Sequence, residues 1–206
     1  MGSAIGAREL QLTQGNVVGG VITFAQAYAR SQRADDSPWL LSLPEMAARA
    51  EAAGYLLTPS LLEISYAVTM THRGDHPAAE QSLQRCRESA ERSGAEATLV
   101  NAAAYWCDLA LAAGDRDEAK RRLASVEDRT LAHRSMHARV RLGLRRAALA
   151  LIEGEVDAAE REAHDALSIC VREGIAWETF HALEVLAQVA VVTDSPAEAA
   201  RIAGAV

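Results

Sequence analysis

Apolar residues return along this chain at the spacing of a helix face, broken at regular places by small and polar residues. Between residues 14 and 33, Val17, Val18, Val21, Phe24, Ala25 and Tyr28 fall on one helical stripe. Asp35-Asp36-Ser37-Pro38 interrupts it, with Ser37 the expected N-cap and Pro38 in the first helical position. The partner helix runs to residue 53 and is expected to kink or restart at Pro44. The same alternation predicts helix pairs over 58–73 with 77–92, 95–113 with 116–127, 135–153 with 156–172, and 175–192 with 196 onward. These segments are rich in Ala, Leu, Arg and Glu, all strong helix formers.

The breaks keep time. Gly74-Asp75, Gly114-Asp115, Gly154-Glu155 and Asp194-Ser195 stand 40 residues apart. A second set, Gly54, Gly94, Arg134 and Gly174, has the same interval and lies 20 residues out of phase. Five residues after each member of the first set comes an alanine: Ala79, Ala119, Ala159 and Ala199. Each unit is therefore a helical hairpin, and a fixed period of this size marks an array in which neighbouring hairpins bury a shared core. Residues 1–13 are read as an N-terminal segment, a tag remnant or the end of a preceding helix. Residues 14–206 are read as an all-α solenoid with units 14–53, 54–93, 94–133, 134–173 and 174–206. The last unit is shorter than the others, which suggests a piece of a longer protein. Ala119 and Ala159 are expected to face the partner helix of their own hairpin.

Composition narrows the function. Half of the residues are hydrophobic but only 4% are aromatic, so Ala and Leu must supply most of the packing, which suits closely approaching helices. A net charge of −7 argues against direct contact with nucleic acid, where a basic surface supplies most of the affinity. Cys86, Cys107 and Cys170 are far apart and form no metal or redox motif, which points to a reduced, cytoplasmic chain. No stretch has the apolar length of a membrane span, and no secretory leader is visible. Neither a membrane nor a cofactor is expected.

The order glycine, acidic residue, then alanine five positions on is similar to the tetratricopeptide repeat. It is carried by Gly74, Asp75, Ala79 and Leu83, by Gly114, Asp115, Ala119 and Leu123, and by Gly154, Glu155 and Ala159. That family expects a large apolar residue eight positions before the glycine. Tyr66, Trp106 and Leu186 comply at that place in the repeat, whereas Arg146 departs from the pattern. The 40-residue period also exceeds the family's usual period of about 34. The segment from Gly174-Ile175-Ala176-Trp177 to Gly204-Ala205 resembles the end of the helical region in large actinobacterial LuxR-family regulators, in which an ATPase module precedes the repeats and a helix-turn-helix domain follows. The resemblance implies a right-handed superhelix of about five hairpins. It also implies a non-catalytic sensor or protein-interaction role in a cytosolic transcriptional regulator, with a protein partner, other modules of the same protein or a small-molecule effector as its ligand. A free-standing scaffold for peptide segments is the alternative.

Carrying the tetratricopeptide groove positions onto this chain places Phe24, Tyr28, Leu61, Ile64, Val68, Thr71, Asn101, Asp108, Arg141, Leu144, His181, Glu184 and Gln188 on the binding surface. Such a groove is apolar at one end and polar at the other. His133 and His137 have the spacing for a shared metal but lack a third ligand, and His72 and His76 flank a turn where histidine is commonly solvated. No phosphate loop, nucleophile elbow or zinc-protease motif is present, so no enzyme is predicted. The acidic pairs Asp117-Glu118, Glu160-Glu162 and Glu88-Glu91 read as solvated helix faces with intrahelical pairing.

Overall fold

The computed structural model describes residues 38–55, 58–127 and 135–204, with the side chain of Trp177 excepted. Every regular element among them is an α-helix. The described helices fall in two compact units, one ending at Gly114 and the other beginning at Asp115. The first contains α1 (Pro38–Leu41), α2 (Leu43–Ala52), α3 (Thr58–His72), α4 (His76–Ser93) and α5 (Glu96–Ala112). The second contains α6 (Arg116–Ala124), α7 (Met136–Glu153), α8 (Val156–Glu173), α9 (Ala176–Val192) and α10 (Pro196–Ala203). Within the units, α2 to α5 and α7 to α10 pack in chain order, each helix against the next. In addition, α3 touches α5 and α7 touches α9, so the first helices of successive hairpins meet.

The periodic breaks are left-handed helix ends. Gly54, Gly74, Gly94, Gly114, Gly154 and Gly174 all have φ between +66° and +83°. A side chain is strained in that conformation and glycine is not. The amide after the glycine then reaches back five residues: Asp75 N–H to Met70 O at 2.9 Å, Glu155 N–H to Ala150 O at 2.8 Å and Ile175 N–H to Cys170 O at 2.9 Å. These bonds satisfy carbonyls that a helix terminus leaves open. Asp194 keeps the same conformation with φ +54° and the same bond, Ser195 N–H to Ala190 O at 2.8 Å. On the far side of the turn, the Asp75 and Asp115 carboxylates accept from the Ala78 and Glu118 amides and cap the next helix. Ser195 stands at the same place without a side-chain cap bond. Ser37 lies outside the described residues. Pro44 sits in the first turn of α2, so the chain restarts there.

The cores are continuous with this register. Ala79 is fully buried among Ile64, Ala67, Val68, Trp106 and Leu109, and Ala159 is fully buried against Ala150 of α7 and Val189 of α9. Ala119 is fully buried as well. Small residues at these positions let helix backbones approach closely, and Cys86, Cys107 and Cys170 fill the seams as buried thiols outside any disulfide. Burial, together with the Glu63 carboxylate, pushes the Cys86 thiol up to about 12, away from reactive thiolate character. No helix among the described residues is long and apolar enough to cross a membrane.

Overpacking follows from that geometry: Ala159→Leu is expected to lower unfolding free energy by about 1 to 3 kcal/mol in urea titrations. Conversely, Asp194→Gly relieves a left-handed side chain and is expected to raise it by about 0.5 kcal/mol, read by the same titration.

Candidate functional site

Two buried carboxylates tie helices together. In the first unit, Glu63 of α3 accepts from Arg85 of α4 through both oxygens, at 2.8 and 3.0 Å. The Ser82 hydroxyl lies against the same carboxylate and 2.9 Å from the Glu63 carbonyl. Glu63 is only 5% exposed, so the bidentate guanidinium supplies the charge balance that water cannot. In the second unit, Glu178 of α9 is paired with Arg141 of α7, with Nε to Oε1 at 2.9 Å, and buried Arg145 lies nearby on α7. Burial works to raise the Glu178 carboxyl, but the charges of Arg141 and Arg145 outweigh it and hold the group below the usual carboxylate range.

The repeat makes Glu63 informative. Forty residues later the same place is Ala103, and forty later again it is Gly143, inside α7. The partners change with it: Ser82 and Arg85 on α4 correspond to Glu162 and Asp165 on α8. Where Glu63 fills the space between α3 and α4, Gly143 contributes no side chain between α7 and α8, and the Glu162 and Arg146 side chains lie over it. A cleft of about 210 Å³ lies there, lined by Leu142, Gly143, Ala166 and Ile169, with Arg139, Arg146, Glu127, Glu162 and Asp165 around it. A Cβ at Gly143 would meet Glu162 Oε2 at 3.5 Å and Arg146 Nη2 at 3.9 Å, which is ordinary contact. Packing therefore does not demand glycine at this site, although glycine in a helix interior costs about 1 kcal/mol relative to alanine.

Arg146 is the second departure from the repeat in the same wall. Where the other units place Tyr66, Trp106 and Leu186, its guanidinium forms a fork to Glu162 with both bonds at 3.1 Å and stands 3.6 Å from Glu127. Glu162, expected on a solvated face, thus reaches across to α7. Glu118 does behave as expected, pairing with Arg121 and Arg122 along its own helix. Asp165 is exposed and has no ion partner among the described residues.

The residues predicted for a groove are distributed differently. Ile64, Val68 and Leu144 are core residues, 1%, 5% and 2% exposed, and present no surface to a ligand. Burial wins because each packs into its hairpin: Ile64 and Val68 around Ala79, and Leu144 against Ala166 and Cys170. Leu61 is half-buried, with its carbonyl accepting from Ser65, and the Thr71 hydroxyl donates to Ala67 O in its own helix. Asn101 and Asp108 are half-buried on α5. Arg141 is committed to Glu178, while His181 lies 3.6 Å from Glu184 on α9, where Glu184 and Gln188 are exposed. Phe24, Tyr28 and His133 lie outside the described residues, and His137 is exposed on α7. Among the described residues no three metal-ligating side chains come together. Sequence reasoning missed Glu63, Glu178 and the Gly143 cleft, although the anomaly at Arg146 points to the last.

The sign of the Glu178 shift sets a pH dependence. A carboxyl held low in the folded state stabilises above its unfolded value, and that stability is lost as pH falls through the folded value. Glu178→Gln is expected to cost about 3 kcal/mol near pH 7, with the difference from the natural chain narrowing below about pH 4 in denaturation curves. No protein-family model matches the chain, and no curated protein or solved structure matches it.

Proposed function

We propose that this chain is a non-catalytic, tetratricopeptide-like solenoid of about five hairpins in a right-handed superhelix, serving as the ligand-sensing or protein-interaction region of a cytosolic LuxR-type transcriptional regulator. The observation that carries the binding role is the Gly143 cleft. Gly143, a glycine in a helix interior, and Arg146, a departure from the repeat, stand one turn apart on α7 and line the same space. Local rules are broken together where something other than the fold is served. The assignment to a regulator rests on the sequence resemblance of the last unit. A ligand in the cleft would bridge α7 and α8 and act by preferring one arrangement of that hairpin.

A scaffold for peptide segments is the second reading, and the mixed charge around the cleft suits it. The two are separated by a thermal-shift screen of metabolites and short peptides against the natural chain and Gly143→Leu. Leucine is the natural choice for closing the cleft, since Leu183 occupies the equivalent position in α9. A metabolite at a hundred times its dissociation constant is expected to stabilise the natural chain by about 2.7 kcal/mol and to leave Gly143→Leu unchanged. Hits confined to peptides would establish the scaffold, and hits that persist in Gly143→Leu would remove the cleft from consideration. A full gene without an ATPase module before these repeats and a helix-turn-helix domain after them would overturn the regulator assignment.

A further inference from the structure

The filled and open versions of one repeat position identify the chemistry of the ligand. This step rests on the cleft being a binding site, as proposed above. In the first unit the space between the hairpin helices holds an anion supplied by the chain: the Glu63 carboxylate, received by Arg85 and Ser82. In the second unit the anion is gone and the receiving positions are inverted in charge, with Glu162 for Ser82 and Asp165 for Arg85. The space that Glu63 occupies is therefore matched by a space whose wall favours the opposite charge.

We infer that the Gly143 cleft binds a small organic cation, a guanidinium or primary ammonium carried on a short aliphatic stem. Glu162 is already shared with Arg146, so Asp165 is the carboxylate with charge to spare. The apolar stem fits over Leu142, Ala166 and Ile169. A planar guanidinium can donate two parallel bonds to one carboxylate, which favours it over a single ammonium. The lining sets the carboxylates of Glu127, Glu162 and Asp165 against the guanidiniums of Arg139 and Arg146, an excess of one negative charge that a single cation balances.

The test uses three probes of similar shape, butylguanidinium, butylurea and pentanoate, titrated into isotope-labelled full chain while the amides of Gly143 and Ala166 are followed by NMR. Butylguanidinium is expected to shift both amides saturably. Butylurea should bind at least tenfold more weakly, and Asp165→Asn should weaken butylguanidinium by at least tenfold. A triple variant, Gly143→Glu with Glu162→Ser and Asp165→Arg, rebuilds the first unit's arrangement in the second and should fold but bind none of the probes. Pentanoate or butylurea binding as tightly as butylguanidinium would overturn the cation while leaving the cleft as a site. Butylguanidinium binding equally well to the folded triple variant would overturn the cleft itself. No response from any probe at its highest soluble concentration would also overturn the cation.

Discussion

A helix can reverse direction only if its last carbonyls find partners and its chain can turn without a clash, and this chain solves that problem the same way at seven of its described breaks. A left-handed residue follows the helix at Gly54, Gly74, Gly94, Gly114, Gly154, Gly174 and Asp194, and at all of these but Gly114 the next amide closes the helix with a bond back to it. Because the breaks come every 20 residues, the complete helices between them run 15 to 18 residues. Equal lengths keep equal register, so a residue and its equivalent 40 positions later meet the same kind of neighbour. The buried alanines at 79, 119 and 159 are the visible result.

That register also governs where charge can be buried. Glu63 and Glu178 occupy interior positions of hydrophobic interfaces, and each is held by an arginine from a neighbouring helix. An isolated carboxylate at either place would be strongly unfavourable, whereas a forked guanidinium restores much of the lost solvation. The second hairpin helix supplies the partner for Glu63, and the preceding first helix supplies it for Glu178. The two locks thus bind a helix within its hairpin in one case and across hairpins in the other.

Much of the fold was legible from residue order. The predicted helix over 156–172 is observed as Val156–Glu173, and that over 58–73 as Thr58–His72. The exception is α6, which ends at Ala124 and not at 127. The candidate site was legible only as an anomaly: Arg146 broke the apolar pattern, but nothing local indicated that its partner would be Glu162. The groove positions carried over from a shorter repeat placed Ile64 and Leu144 at the surface, whereas both pack inward here.

Sequence by itself determined the all-helical class, the 20-residue alternation of helix and turn, and the chemistry of the turns, because these depend on backbone conformation and on neighbours within a few residues. It also determined that unit four differs from the others at Arg146. Tertiary structure alone decided that Gly143 opens a cleft, that Glu162 and Asp165 border it, and that Glu178 is buried against Arg141. Those facts turn on which side chains meet across two helices. The hydrophobic pattern constrains which faces are buried, but not which polar residues at their margins come within reach of one another.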